Sequence, residues 1–300
     1  MPYSNRGAIL EMLCKIASIG LVLLVFAAFA AEYAAAVSGL VLPESVVAAP
    51  DGRVFVSQIG EFGKDGDGSV AAVDIRGQNA GGEFTVFAKG MDDPKGIDLW
   101  NGTLYVADKT KIWRVDGQGV AGVWIKESDF PRKPLFLNDV AIDRQGNLYV
   151  SDSGEIMQGK GKGVIYRVSQ DGEVARIIGE EDDPAIKNPN GLLADGDDHL
   201  LVLDFTTGAL LRIALKTKAV EKLADGFGGG DGIARDRAGM LYLSDWKSGK
   251  LWKYDYAQKG AKPQPYPASF QAAADIALDP EQRYILVPDM KAGRLVPVAK

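Results

Sequence analysis

The sequence predicts an all-β protein: a six-bladed β-propeller, formed by a single domain over residues 37–300. Two observations predict it. A short phrase recurs six times along the chain, and no long stretch after residue 37 has the apolar periodicity of a helix. Each copy opens a unit of short strands, and the units recur about every 40 to 50 residues, as the blades of a propeller do. Six such units complete a closed ring.

The first 36 residues have the pattern of a signal peptide. Arg6 and Lys15 precede the apolar run Ile16–Ala30, and small residues follow, with candidate cleavage sites after Ala30 and Ala36. The apolar run is short for a membrane span, which needs about 20 residues. We therefore expect residues 1–36 to be a cleaved leader and the protein to be periplasmic or secreted. An uncleaved membrane anchor is the alternative.

The repeated phrase predicts the two inner strands of each blade. In "NDVAIDRQGNLYVSD" and "DGIARDRAGMLYLSD", a short apolar run is followed by a polar turn and then an alternating run. Alternation of apolar and polar residues is typical of a half-buried strand, and Asp, Asn and Gly favour hairpin turns. The six copies begin at Glu44, Lys95, Asn138, Asn190, Asp231 and Asp275.

The sixth copy lacks an outer strand, because "GRLVPVAK" is the last stretch of the sequence. The segment "VSGLVLP", which precedes Glu44, has the composition to supply it. The first strand of the mature chain is therefore expected to close the ring and to leave no free sheet edge.

The opening residues of the six copies are expected to form a ring at one face of the disc, because the first strand of each propeller blade lines the central channel. The distance from the opening residue to a turn residue is eight positions in five copies, and the Lys95 copy is one residue shorter. The predicted ring contains three carboxylates and two carboxamides. Such oxygen ligands suit Ca²⁺ better than zinc or copper.

Two alternatives to a metal site stay open at this point. Asn and Asp at the start of a strand often bond nearby backbone amides and have no further role. Lys95 could instead neutralise the ring by itself and leave a metal-free channel.

At these residues the chain resembles the regucalcin/gluconolactonase family of six-bladed propellers, and more distantly diisopropyl-fluorophosphatase and paraoxonase. Members of the family bind a divalent cation through a Glu of the first blade, Asn residues of middle blades and an Asp of a later blade. The resemblance implies that the metal ligands here are Glu44 in "LPESVV", Asn138 in "FLNDVAID", Asn190 in "NPNGLLAD" and Asp231 in "GGDGIARD". The cation is expected to be Ca²⁺, with Mg²⁺ or Mn²⁺ as alternatives.

The resemblance also implies a reaction: the hydrolysis of a lactone or related ester, in which a metal-activated water attacks the carbonyl carbon. Asp231 is the first candidate for the base and Asp275 the second, while Lys95 is placed to steady the oxyanion or orient a substrate carboxylate. Two features depart from the family. Ser45 follows Glu44 where lactonases have Gly-Pro, and Phe136 stands where many have an Arg that holds a sugar acid.

Other classes of function fit less well. A net charge of −6 argues against a nucleic-acid partner. A quinone-dependent dehydrogenase would need His and several Arg in the ring. A non-catalytic propeller that binds a small ligand or a protein remains the main alternative. The expected partner is a small-molecule substrate, with an anionic lactone or ester as a candidate, and membrane contact is expected only if the leader is uncleaved.

Two further sets of polar residues are assigned to structure. The only histidine, His199, lies in a turn region at the opposite end of the strands from the ring. The acidic residues that end the second strands are expected to cap hairpins by bonding backbone amides. These are Asp108, Asp152, Asp204, Asp245 and Asp289.

Overall fold

In the computed structural model, six four-stranded antiparallel sheets are arranged in a ring. The structure describes residues 36–75 and 83–300, and within them it contains 24 β-strands and three short 3-10 helices. The innermost strand of each sheet contacts the innermost strands of the two neighbouring sheets, in cyclic order. The prediction of a six-bladed propeller is confirmed. The predicted leader, apart from Ala36, lies outside the described residues.

The strands follow one another outward from the channel in each of the first five blades. After β1 (Val37–Ser38), the first blade contains β2 (Pro43–Ala48), β3 (Val54–Gln58), β4 (Gly68–Val73) and β5 (Phe84–Met91). The second contains β6 (Pro94–Trp100), β7 (Thr103–Asp108), β8 (Lys111–Val115) and β9 (Ala121–Ile125). The third contains β10 (Leu137–Ile142), β11 (Leu148–Asp152), β12 (Val164–Val168) and β13 (Val174–Gly179).

The later blades repeat this order. The fourth contains β14 (Pro189–Asp195), β15 (His199–Asp204), β16 (Ala209–Ala214) and β17 (Val220–Asp225). The fifth contains β18 (Gly230–Arg235), β19 (Leu241–Asp245), β20 (Lys250–Tyr254) and β21 (Gln264–Ser269). The sixth contains β22 (Ala277–Leu278), β23 (Tyr284–Asp289) and β24 (Arg294–Ala299). The 3-10 helices are Glu127–Asp129, Ile156–Gln158 and Met290–Ala292.

The sixth blade is closed by the first strand, as the sequence predicts. β1 pairs antiparallel with β24, so that Val37 faces Leu295 and Ser38 faces Arg294. Val37 and Leu295 are both fully buried in one apolar cluster. The sheet that joins the two ends of the propeller is therefore part of its core.

The core lies between the blades, because hydrophobic clusters fill the six gaps between neighbouring sheets. In the third blade, Leu148 and Val150 pack toward the second blade, whereas Tyr149 packs toward the fourth. The second strands are thus buried on both faces. The expectation that "LYVSD" is a half-buried strand is wrong, since all five of its residues are buried.

Glycine recurs in the turn between the two inner strands because the backbone there is left-handed. Gly52, Gly146 and Gly239 have φ of 92°, 82° and 92°. Each donates its N–H to the carbonyl three residues before it, over 2.8 to 3.0 Å. A left-handed residue at this position is best supplied by glycine.

Within the described part of the chain, no helix is long and apolar enough to cross a membrane.

Candidate metal centre at the mouth of the channel

In each of the first five innermost strands, a shift in the pairing register near the start of the strand positions the ring residue. In the first blade Pro43 pairs with Gln58, but the next pair is Val46 with Val56. Glu44 and Ser45 fall between these pairs. The same shift recurs at the start of β6, β10, β14 and β18. Such bulges re-aim side chains, and here the re-aimed side chains are those of the ring.

Five of the six predicted ring residues occupy this position, and each is at least nine-tenths buried. They are Glu44, Lys95, Asn138, Asn190 and Asp231.

The sixth is wrong by one residue: Ala274, not Asp275, lies at the ring position of the sixth blade. Ser244 Oγ donates to the carbonyl of Ala274, as Ser151 Oγ does to the carbonyl of Asn190. The sixth turn has no glycine, and its left-handed residue is Gln282, with φ 58°.

The spacing of eight residues therefore holds in the sixth blade, but it runs from Ala274 to Gln282. Counting eight residues from Asp275 instead leads to Arg283, which is one residue past the left-handed position of this turn. This turn is also one residue longer. The N–H of Asp279 donates to the carbonyl of Tyr284, five residues on, whereas the N–H of Asp143 donates to the carbonyl of Asn147, four residues on.

Asn190 and Asp231 meet across neighbouring blades. Asn190 Nδ2 donates to Asp231 Oδ1 over 3.0 Å, which leaves Asn190 Oδ1 buried with no hydrogen-bond partner. Glu44 Oε2 is likewise buried and without a partner. Buried polar atoms are nearly always paired, so two such oxygens among four predicted ligands fit a site that can accept a cation. Asn138 Nδ2 donates to Ser153 Oγ over 3.0 Å, which fixes its amide as well.

The negative charges of the ring also favour a cation, because its carboxylates are buried and repel one another. Burial, and then repulsion from Asp231 and Asp275, raise the pKa of Glu44 well above its usual value, although Lys95 opposes this. Burial, and then repulsion from Asp275, raise the pKa of Asp231 in the same way. A cation between Glu44 and Asp231 would relieve the cost of their negative charges.

No group of three or more His, Cys, Asp or Glu side chains in residues 36–75 and 83–300 is arranged to hold a metal. The predicted centre is of a different kind, since two of its four ligands are carboxamides. Carboxamide oxygens are ordinary Ca²⁺ ligands, and the donor set fits a hard cation.

Among the ring residues that the structure describes, Lys95 is the only one with a positively charged side chain. Its ammonium donates to the carbonyl of Asp93 over 3.0 Å and lies 4.4 Å from the centre of the Phe136 ring. Burial lowers the pKa of Lys95, while the carboxylate of Glu44 opposes this. Lys95 thus offsets part of the negative charge and does not remove the unpartnered oxygen of Glu44.

A second level of carboxylates, formed by Asp139 and Asp275, lies one residue deeper in the channel, and Asp139 is not among the residues that the sequence pattern predicts. Asp139 accepts the backbone N–H groups of Val140 and Leu192, and Asp275 accepts the hydroxyl of Ser45. Burial raises the pKa of Asp139 well above its usual value and that of Asp275 to about 7.

Glycines make room for these two carboxylates. A Cβ on Gly96 would lie 2.5 Å from Asp139 Oδ1, and a Cβ on Gly232 would lie 2.4 Å from Asp275 Oδ1. Both carboxylates, together with Asp98, line a channel cavity of about 240 Å³. One sequence signal could have identified Asp139: it is the carboxylate directly after the ring residue Asn138 in "FLNDVAID".

The acidic residues that end the second strands bond backbone amides, but most of them reach beyond the hairpin. Asp152 accepts the N–H groups of Leu135 and Phe136, and Asp289 those of Gln271 and Ala272, all in the segment before an innermost strand. Asp108 bonds the same segment of its blade. Asp204 bonds both this segment and its hairpin, and Asp245 caps its hairpin as expected. His199 pairs with Asp195 at the end of the fourth blade's inner hairpin, opposite the ring.

Two loops stand at the ring face: residues 59–67 between β3 and β4 of the first blade, and residues 153–163 between β11 and β12 of the third. In the first, Gly63 N–H donates to Asp93, and Lys109 pairs with Asp65. In the second, the carbonyl of Lys160 accepts Nδ2 of Asn188. Asp93 and Asn188 each lie two residues before a ring residue, so both loops border the mouth.

The sequence matches a known protein family over more than half of its length. A family model described as the SMP-30/gluconolactonase/LRE-like region matches residues 91–274. No curated protein matches the sequence.

Two solved structures share the architecture. Regucalcin from Agrobacterium tumefaciens, described as a calcium-binding protein, is 20% identical with a TM-score of 0.69, over 89% of this chain and 93% of that one. Virginiamycin B lyase from Staphylococcus aureus is 12% identical with a TM-score of 0.58, over 86% of this chain and 94% of that one. At these identities the likeness concerns the fold alone.

Proposed function

Because the chain belongs to the SMP-30/gluconolactonase/LRE-like family, we propose that it is a divalent-cation-dependent hydrolase of lactones or related esters. The observation that carries the proposal is the pair of unpartnered buried oxygens, Glu44 Oε2 and Asn190 Oδ1, beside the carboxylate of Asp231. Regucalcin, which has the same fold, is described as calcium-binding and supports the choice of Ca²⁺ over Mg²⁺ or Mn²⁺.

The cation would be held by Glu44, Asn138, Asn190 and Asp231. When bound, it would supply Lewis acidity that polarises the carbonyl of the substrate. The protein fixes its own donors in advance. Asn190 and Asn138 are oriented by the hydrogen bonds that their Nδ2 atoms donate, to Asp231 and to Ser153. Ligands held in this way lose little freedom on binding.

Asp231 is the proposed general base, which takes the proton of the attacking water. Its carboxylate is positioned by Asn190, and burial strengthens its basicity. Asp275 is the second candidate, but its Oδ2 already accepts the hydroxyl of Ser45, one level deeper than the ring. The ammonium of Lys95 is the proposed stabiliser of the negative oxygen that develops on the substrate.

The test combines metal analysis with an activity screen of residues 37–300. We expect stoichiometric Ca²⁺, loss of activity with chelator, and recovery when Ca²⁺ is restored. Bound metal without hydrolysis of any lactone or ester would favour the non-catalytic propeller. That alternative draws support from Phe136, which replaces the family's substrate-holding Arg.

We also propose that the protein acts in the periplasm or is secreted, on a small-molecule substrate. The support is the leader-like pattern of residues 1–36. Fractionation of the native host, with sequencing of the mature N-terminus, tests it. A mature N-terminus at residue 31 or 37 is expected, and an intact leader in the membrane fraction would indicate the anchor.

A further inference from the structure

We propose that the substrate carries an apolar alkyl or aryl group, which packs against a wall of side chains above the ring. This inference rests on the proposed hydrolase function and names its substrate class.

The wall is formed by Phe205, Trp246 and Met290, one from each of the last three blades. Each directly follows the second strand of its blade. Each also lies beside the residue that precedes the ring position of the same blade by two positions in the sequence. The N–H of Phe205 donates to the carbonyl of Asn188, and that of Trp246 to the carbonyl of Gly229.

The third member follows the same rule, since Met290 N–H donates to the carbonyl of Ala272. The wall therefore borders the part of the ring that holds Asn190, Asp231 and Ala274.

Contacts between the three side chains make the wall continuous. The rings of Phe205 and Trp246 lie 6.2 Å apart, and Trp246 Nε1 donates to Met290 Sδ over 3.1 Å. All three are only partly buried. Lys247 and Lys291 lie over the rings of Phe205 and Trp246, at 4.4 and 4.1 Å from their centres. Such contacts hold the rings in place.

The opposite side of the mouth is also apolar. Phe136 lies beside Lys95 of the ring, and the ring of Phe62 is 6.3 Å from that of Phe136. Phe62, Leu135 and Met157 are 45%, 41% and 64% exposed, unusually high for large apolar side chains. A substrate above the ring would have apolar neighbours on both sides, and its burial would be favourable.

The side-chain donors of Asn188, Ser153 and Trp246 at the mouth are already engaged, and the one unpartnered polar atom among these three side chains is the buried Oδ1 of Asn188. Asn188 Nδ2 donates to two carbonyls, of Ser153 and Lys160, and the hydroxyl of Ser153 donates to the carbonyl of Pro189. The indole N–H of Trp246 is taken by Met290. A polyhydroxylated lactone would leave most of its hydroxyls without partners here, and each unpaired polar group costs affinity.

The experiment compares two δ-lactones that share the reacting ring carbonyl: δ-decanolactone, with an alkyl chain, and glucono-δ-lactone, with hydroxyls, and each enzymatic rate is taken relative to the spontaneous hydrolysis of the same lactone. We expect kcat/KM to favour δ-decanolactone by about 100-fold or more. Trp246→Ala should lower kcat/KM for δ-decanolactone about ten-fold, mainly through KM, and Trp246→Phe should restore most of it. Val120→Ala, at an exposed site far from the mouth, is the control.

Calorimetric binding of the ring-opened acids separates the two proposals. Binding of 5-hydroxydecanoate but not gluconate, without hydrolysis of either lactone, would overturn the hydrolase and keep the apolar subsite. Preferential hydrolysis of glucono-δ-lactone would overturn the subsite and keep the hydrolase. Neither hydrolysis nor binding of either compound would overturn both.

Discussion

Asn190 donates a hydrogen bond from Nδ2 to Oδ1 of Asp231 over 3.0 Å, which joins the ring positions of the fourth and fifth blades. The bond decides which way the Asn190 amide faces, because only its nitrogen side can meet a carboxylate. The oxygen side is then turned away, buried and unpartnered. One contact thus orients two proposed ligands of the same cation.

Removing one of these ligands should abolish the response to metal. In wild-type protein, Ca²⁺ at about 100 times its Kd should stabilise the fold by about 2.7 kcal/mol and raise Tm. Asp231→Asn should remove most of that rise, because it deletes a charged ligand. The measurement is thermal melting with Ca²⁺ and with chelator.

Asp289→Asn is the matched control, since Asp289 is equally buried but caps backbone amides in the sixth blade. It should lower Tm and keep the Ca²⁺-induced rise. An equal loss of the rise in both variants would contradict the ring as the metal site.

The two candidate bases should separate kinetically. Asp231→Asn should lower kcat by about 10²- to 10⁴-fold or more, because it removes the proposed general base and a proposed metal ligand together. Asp275→Asn should lower kcat far less, because its carboxylate lies below the ring and is bonded to Ser45. Steady-state kinetics at saturating Ca²⁺ measures both. The reverse order would place the base at Asp275.

Lys95 distinguishes a metal-binding ring from one neutralised by the protein alone. If the ring holds a cation, Lys95→Met should tighten Ca²⁺ binding roughly ten-fold, because it removes a positive charge beside Glu44. It should also lower kcat through loss of the oxyanion contact. Calorimetric titration checks the affinity. A Lys95→Met protein that neither folds nor binds Ca²⁺ would support the metal-free channel.

Asp98 should make stability depend on pH. Burial raises the pKa of Asp98 from 3.8 to about 6, although it accepts the N–H groups of Leu99 and Ile142. A raised pKa in the folded state means that folding favours the protonated form. Its stabilising contribution is complete below about pH 4 and is lost as pH rises to about 6, by on the order of 2 to 3 kcal/mol.

Asp98→Asn, which cannot titrate, reveals this contribution. Urea unfolding at several pH values should show the wild type losing stability relative to Asp98→Asn between pH 4 and 7. The exposed Asp197→Asn is the control variant. A constant difference between wild type and Asp98→Asn would refute the assignment.

The small residues of the second level should be intolerant of enlargement. Gly96→Ala would place a Cβ 2.5 Å from both Cα and Oδ1 of Asp139, and we expect it to destabilise the fold by about 1 to 3 kcal/mol. Gly122→Ala meets no atom within 4 Å and should be nearly neutral. Denaturant unfolding of the pair measures the difference, and equal midpoints would show that Asp139 moves aside freely.

The propeller and its closing strand could be predicted because they depend on a repeated pattern of apolar residues and turns. Five ring positions could be predicted for the same reason, since a glycine marks the turn eight residues after three of them. The sixth failed where the marker is missing, because Gln282 takes the left-handed position there.

Asp139 was missed, and Asp275 was placed one level too high, for a different reason. In the third blade a bulge turns both Asn138 and Asp139 inward, whereas strand alternation alone predicts one inward residue. The apolar wall was also missed. Phe205 and Trp246 are far apart in sequence, and only the ring of blades brings them within 6.2 Å.

The pairing of Val37 with Leu295 has a consequence for the order of folding. The strand made first must wait for a partner synthesised far later, so the sixth sheet cannot form while the chain is still emerging. Closing so long a loop carries a large entropic cost, which slows this step relative to the local hairpins. We therefore expect the amide protons that join β1 to β24 to gain protection last during refolding, after those that join β23 to β24.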